Sequence, residues 1–291
     1  MNDALSQLAD DFFQNSLNSS PTSAIMRGYK EYFDQIEELT ETRFEQNLED
    51  LDKFEKRLNE IDFNNLSKKE KVTHGMLEYA FASNKDSLHD KSWEFGAGVS
   101  GFTGYLIDYN QQMFIPDLES GDLLLKRLEL YNQFFNQVSL VQKKGLDENR
   151  VATERNILRT IDQIESYLKT SLDEDPLLLV NFSPKVSEKD VSSWKDKAKL
   201  IIESYVRPSV NSYLEQLKIA HLPKGRSDTN PGIMWIEGGE DIYLRSLRKF
   251  TGNKDITVQE VHETGLSEIE RLKKEFFEIG KNVFEDASTP E

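Results

Sequence analysis

The chain has 291 residues, with 52 acidic and 36 basic side chains and a formal charge of −16. It contains no cysteine, which excludes disulfides, cysteine-based zinc sites, iron–sulfur clusters and a thiol nucleophile. Nucleic-acid backbones are bound by basic surfaces, so this acidic balance argues against DNA or RNA as a partner. With 37% apolar residues, the chain is long and apolar enough to bury a core.

Helical spacing of apolar residues runs through most of the chain. It predicts helices over residues 3–17, 20–33, 41–61, 67–80, 119–144, 147–170, 187–219, 239–250 and 257–284. Capping boxes are expected at Ser67 with Glu70 and at Thr257 with Glu260. Pro208 lies inside 187–219, so a kink or a break is expected there.

Two regions interrupt this pattern. Residues 92–118 and 221–240 combine glycine and proline with large aromatic side chains, which is typical of ordered loops and not of flexible linkers. Within the second region, Ile233–Ile236 resembles a short strand. The pattern therefore predicts an all-α fold of long antiparallel helical hairpins. We expect a single helical domain over 1–291, with sub-lobes at about 1–91 and 119–286 joined by the aromatic loop region 92–118.

Two local motifs resemble catalytic signatures but lack the context that their chemistry needs. Gly96–Gly101 matches G-x-G-x-x-G, yet no buried strand precedes it and no βαβ unit follows, which argues against a nucleotide site. His262-Glu263 begins like the H-E-x-x-H motif of zinc peptidases, but Leu266 occupies the position of the second histidine. We therefore predict neither a metal-binding residue nor a catalytic residue in this chain.

Two clusters remain as candidate binding regions. Residues 93–115 place aromatic side chains beside glycines, a composition that either lines a pocket or packs a loop. Residues 205–265 gather polar and aromatic side chains, among them Tyr243 and His262, at junctions between loops and helices.

Compartment is left open by the sequence. No window approaches the roughly 18–20 apolar residues of a membrane span. The first residues lack the basic and apolar segments of a signal peptide. A cytoplasmic protein is expected from the sequence as written, and a periplasmic or lipid-anchored one if a leader has been removed.

The most specific passage lies between Tyr205 and Phe284. Gly239-Glu240-Asp241-Ile242-Tyr243 is followed by Thr257-Val258-Gln259-Glu260-Val261-His262-Glu263-Thr264-Gly265-Leu266-Ser267-Glu268. This order resembles the bacterial domain of unknown function 885 family, with its "G-x-x-x-Y" and "T-x-x-E-[IV]-H-x-x-G-L-x-E" passages. The opening, Ser20-Pro21-Thr22-Ser23-Ala24, is similar to that family as well.

The resemblance implies a helical zinc metallopeptidase, similar in architecture to Taq-type carboxypeptidases. In that family the zinc motif lies C-terminal to the passage found here, so the chain resembles the N-terminal half, a wall of the substrate channel. Only Tyr243, His262 and Gly265 fall on matching motif positions. The resemblance implies that Tyr243 and His262 contact a peptide substrate, and that zinc belongs to the full-length protein.

Two functional hypotheses follow. In the first, the chain is the non-catalytic, substrate-channel half of a zinc-dependent peptidase, and it self-associates through the surface left by the missing half. In the second, it is a non-enzymatic helical module that binds proteins or peptides through its two aromatic loop regions.

Overall fold

The computed structural model describes residues 3–96 and 109–283, and most of these residues are helical. They form two compact units, which divide between Glu237 and Gly238. The first unit contains helices α1 (Asp3–Ser19), α2 (Pro21–Met26), α3 (Glu41–Asn59), α4 (Lys68–Asp90), α5 (Tyr109–Gln112), α6 (Leu118–Glu129), α7 (Tyr131–Asp147), α8 (Glu154–Lys169), α9 (Glu188–Ile201) and α10 (Arg207–Gln216). The second unit contains α11 (Gly239–Thr251) and α12 (Val258–Val283).

The predicted all-α class is confirmed. In the described residues, extended structure is limited to two short strands and one isolated bridge. The strands β1 (Phe114–Ile115) and β2 (Asn181–Phe182) pair in parallel. The predicted single domain, with sub-lobes at about 1–91 and 119–286, stays a prediction.

A small core joins the first, third and fourth helices. Phe12 of α1 meets Phe54 of α3 and Phe81 of α4 edge to face, with ring centroids 5.7 and 4.9 Å apart. Lys85 of α4 forms ion pairs with Asp52 and Glu55 of α3 on the outside of the α3–α4 hairpin. The apolar stripes seen in the sequence therefore face one another across this hairpin.

A larger core surrounds α6 to α10. Trp194 of α9 is fully buried, and its indole N–H donates to the carbonyl of Gly121 in α6 at 2.7 Å. The Phe182 ring packs edge-on against the same indole, at 5.2 Å between centroids. A Cβ on Gly121 would lie 3.1 Å from Phe182, so the absence of a side chain on Gly121 allows this close packing.

The predicted disturbance near Pro208 takes the form of wider helical turns. A π-helical segment, Ile202–Val206, separates α9 from α10, and a second one, Leu217–His221, follows α10. Pro208 lies in the first turn of α10, where its missing N–H costs the least. The long predicted helix thus continues past Pro208. The π-helical turn before the proline changes the backbone hydrogen-bond pattern where the proline has no N–H to donate.

Several sequence predictions need correction. The segment 119–144 is two helices that meet at Leu130, and the helix from Pro21 ends at Met26 with a left-handed Gly28 shortly after it. Ile233–Trp235 is a 3-10 turn and not a strand.

Both capping boxes are confirmed: Glu70 accepts from the Ser67 N–H at 2.8 Å, and Glu260 accepts from the Thr257 N–H at 2.9 Å.

A buried ion pair connects the segment between α8 and β2 to the start of α10. The Asp175 carboxylate is fully buried and accepts from Arg207 at 2.9 Å and from the Leu177 N–H at 3.1 Å. Arg207 also donates to the Thr170 carbonyl at 2.8 Å and stacks over the Tyr167 ring. One guanidinium therefore ties the end of α8 to the start of α10.

We predict that Asp175→Asn lowers the unfolding free energy by about 3 kcal/mol, because removing one partner of a buried pair leaves the other charge uncompensated. Urea titration followed by circular dichroism measures this loss. Asp173→Asn is the matched control: Asp173 pairs with Lys199 on the exposed surface, so its loss should change stability little. Equal effects of the two variants would contradict the prediction.

Candidate functional site

The first unit contains an apolar cleft with two adjoining parts, of about 300 and 420 Å³. Both parts share Leu39, Trp93 and Val141. The smaller part is lined mainly by aromatic and aliphatic side chains of α7, together with Tyr213 of α10. The larger part is lined by α3, α7 and the end of α4, and several of its lining residues are charged. Its apolar walls and size are those of a site for an apolar side chain or a small ligand.

Trp93 separates the two parts of the cleft. Its ring stacks on Phe44 of α3 with centroids 3.9 Å apart and ring planes 20° from parallel. Trp93 belongs to the 3-10 turn Ser92–Phe95, which follows α4 after Lys91 adopts a left-handed conformation. That conformation ends α4 and directs the chain towards α7, so the tryptophan lies between two helices distant in sequence.

The 3-10 turn Ser92–Phe95 packs closely against Gly145 of α7. A Cβ at Gly145 would lie 2.2 Å from the Glu94 carbonyl oxygen and 2.9 Å from the Arg150 carbonyl oxygen. No side chain fits in that space without a movement of backbone. Gly145 thus permits the close approach that positions Trp93.

A buried ion pair supports the same turn. Glu94 Oε2 lies 2.8 Å from Arg150 Nε, at ion-pair distance but without hydrogen-bond alignment, and both side chains are almost fully buried. Arg150 also donates to the carbonyls of Asp90 at 2.5 Å and Glu237 at 2.8 Å. Burial raises the pKa of Glu94, and the Arg150 charge opposes that rise. The arginine therefore joins the end of α4 to the turn beneath the cleft.

Polar groups lie at the base of the smaller part of the cleft. The Tyr213 hydroxyl donates to Gln142 Oε1 at 2.9 Å, and both residues line the cleft. Burial raises the pKa of Tyr213 to about 12, so the phenol is neutral at physiological pH. The Tyr213 phenol and the Gln142 amide suit hydrogen bonding to a neutral ligand more than charge recognition.

His221, at the end of the second π-helical segment, is buried and is not among the residues that line the cleft. Its Nδ1 lies 3.3 Å from the Gln216 carbonyl oxygen.

The two residues selected from the sequence lie in the second unit. Tyr243 is on α11 and His262 is on α12, and both are exposed. Within the described residues, no hydrogen bond, ion pair or ring contact joins their side chains. Both are available to a ligand, but the structure does not bring them together in one site.

His262 occupies the apolar face of α12. No residue of this 26-residue helix is buried against the described parts of the chain. Phe276 is 70% exposed, Ile279 59% and Ile269 50%. Large contiguous apolar surfaces of this kind mark binding sites more often than ordinary surface.

The described residues offer no metal site. They contain no group of three or more histidine, aspartate and glutamate side chains placed to hold a metal ion. Leu266, on α12 one turn after His262, offers no ligand atom. Of the Gly96–Gly101 motif only Gly96 is described, and the remainder lies outside the described residues, as does the segment 97–108 of the aromatic loop region 92–118.

Sequence reasoning missed most of the cleft. Trp93 lies in the aromatic region 93–115 selected from the sequence, but Phe44 lies in the predicted helix 41–61, where helical spacing indicates only a packed face. Gly145 and the Glu94–Arg150 pair carried no signal, because each depends on contacts between segments far apart in sequence.

Residues 21–291 match the family model described as "Bacterial protein of unknown function (DUF885)". The chain belongs to this family. This match confirms the family resemblance carried by the Gly239–Tyr243 and Thr257–Glu268 passages. The family is described as having no known function.

A solved structure shares the fold. The crystal structure of a candidate lipoprotein from Colwellia psychrerythraea matches with a TM-score of 0.76 at 14% identity. The match covers 99% of this chain and 53% of that one, so the present chain spans about half the length of its structural relative. No protein with curated function shows significant sequence similarity. Among the described helices, none has the length and apolar character of a membrane span.

We predict opposite effects for two helical glycines. Gly145→Ala should lower the unfolding free energy by more than about 1 kcal/mol, because its Cβ meets backbone atoms that cannot move freely. Gly75→Ala, in α4 with open space around it, should raise it by about 0.5–1 kcal/mol through the lower entropy of the unfolded chain. Urea titration measures both values. A stabilising Gly145→Ala would show that the turn does not approach α7 closely.

We also predict a pH dependence from His221. Burial lowers the pKa of His221 below its ordinary 6.5, with smaller opposing effects from the carbonyls of Gln216 and Gln142. The unfolded chain therefore binds this proton more readily, and stability falls as the pH drops below that value. Urea midpoints at about pH 7.5 and about pH 5.5 should differ less in His221→Gln than in the wild type. His262→Gln, which removes an exposed histidine, is the control and should keep the wild-type difference.

Proposed function

We propose that this chain forms the substrate-channel part of a zinc-dependent peptidase and binds peptide without cleaving it. The proposal rests on the resemblance of the Thr257–Glu268 passage and on the length relation to the Colwellia structure. In this proposal the chain supplies binding surface, and the catalytic zinc site belongs to a part of the full-length protein that this chain does not match.

One observation carries the proposal: His262 lies exposed within the apolar face of α12. An extended peptide needs apolar surface for its side chains and polar groups for its backbone. The imidazole of His262 and the phenol of Tyr243 supply hydrogen-bonding groups, while Leu266 supplies apolar area. The second unit thus combines both requirements on its exposed helices.

The described residues do not fit a zinc site of their own. The His262–Glu263 pair lacks the second histidine, and the described part of the chain holds no cluster that replaces it. No catalytic step is therefore assigned to any residue of this chain.

A second function, a non-enzymatic peptide-binding module, is favoured by the cleft of the first unit. Trp93, Phe134 and Phe135 line an apolar volume of about 300 Å³ there. A cleft of this size accepts one or two apolar side chains of a partner. In this alternative Trp93 is the central binding residue, and the exposed groups of the second unit take no part.

Peptide binding distinguishes the two functions. Fluorescence anisotropy with fluorescein-labelled peptides rich in leucine and phenylalanine should show binding to the wild-type chain. Tyr243→Ala and His262→Ala should each weaken it by about tenfold, as expected for side chains that contact the ligand directly. Tyr79→Ala removes a similarly exposed tyrosine from α4 and should leave the affinity unchanged.

Three outcomes would contradict the proposal. Stoichiometric zinc by elemental analysis, with cleavage of the peptides, would show a catalytic centre in this chain. Affinity lost in Trp93→Ala but kept in Tyr243→Ala and His262→Ala would favour the module. Absence of binding to any of the peptides would overturn both functions.

A further inference from the structure

The apolar face of α12 follows a seven-residue repeat, which is apolar at every position from Ile269 to Val283. Its positions alternate by four and three residues: Val258, His262, Gly265, Ile269, Leu272, Phe276, Ile279 and Val283. An ordinary amphipathic helix that covers a globular core uses a wider stripe with a period of 3.6 residues. A strict repeat of 3.5 is the pattern by which two long helices pack along a shared seam.

The C-terminal part of this face is the strongly apolar one. Ile269, Leu272, Phe276, Ile279 and Val283 form five successive layers without a polar side chain, and each is 40–70% exposed. Towards the N-terminus, the His262 and Gly265 layers lack a large apolar side chain. A helical partner would therefore bury the segment 269–283 and leave the His262 layer loosely packed.

The charges beside the seam indicate the partner. Glu268 and Lys273 flank the apolar positions on opposite sides, five residues apart. When two copies of the helix run parallel in register, Glu268 of one copy lies opposite Lys273 of the other, on both sides of the seam. Within residues 3–96 and 109–283, Glu268 pairs with Arg271 and Lys273 with Glu270 of the same helix, and all four side chains are about half exposed or more, so Glu268 and Lys273 are accessible to a second copy.

We propose that two copies of this chain associate in parallel through residues 269–283 of α12. The same surface meets itself in a two-fold pair, as in most symmetric dimers. This inference is independent of the peptidase assignment, because it concerns the C-terminal layers of the face and not the peptide contacts of Tyr243 and His262.

The absence of cysteine makes a crosslinking test direct. Leu272→Cys places a thiol in the seam, where parallel pairing brings the two copies of residue 272 together. After mild oxidation, we expect a covalent dimer in at least about tenfold greater yield than for Lys274→Cys, whose thiol lies on the opposite side of the helix. Denaturing gels without reductant measure the yield.

Sedimentation of the unmodified chain provides the second readout. The wild type should sediment as a dimer, Leu272→Glu/Ile279→Glu as a monomer, and Lys274→Glu as a dimer. Since no residue of α12 is buried in the described structure, the charged variant should keep the wild-type circular dichroism. A monomeric wild type, or a dimer in which Leu272→Cys does not crosslink, would overturn the proposal. Either result leaves the peptide-binding measurement valid.

Discussion

The close approach of the Ser92–Phe95 turn to α7 is the constraint on which the cleft of the first unit depends. The Glu94 carbonyl lies against Gly145, where no side chain fits, and Arg150 neutralises the Glu94 carboxylate in a buried position. An unpaired carboxylate there would be costly, because burial disfavours its charged form. Glycine and arginine together hold Trp93 over Phe44, and the cleft forms on both sides of that stack.

The second unit is stabilised differently from the first. The first unit buries two hydrophobic clusters, whereas α12 is a helix of 26 residues whose apolar face remains exposed in the described structure. A capping box at Thr257 and i, i+3 and i, i+4 ion pairs around Arg271 support the helix locally. Such local terms are small compared with core burial, so the apolar face is expected to serve binding.

Membership in the family described as bacterial protein of unknown function is shown by a match over residues 21–291, and the helical fold is shared with a structure from Colwellia psychrerythraea. Peptide binding and the relation to a zinc peptidase are proposals that rest on particular side chains. The proposed dimer seam and the proposed peptide contacts use successive segments of one helix face, so each can be tested while the other is left intact.

By itself the sequence determined the helical class, most helix positions and the family, because helical periodicity and capping are local and the Gly239–Tyr243 and Thr257–Glu268 passages are contiguous. It also identified both capping boxes, which are set by residues three positions apart. Only the tertiary structure decided where the cleft lies, since Phe44, Trp93 and Gly145 come from segments that meet only after packing. It also corrected the expected strand at Ile233–Ile236 to a 3-10 turn, because apolar character predicts a strand only where a pairing partner exists. Periodicity specifies which face of a helix is apolar, but long-range packing decides whether that face is covered.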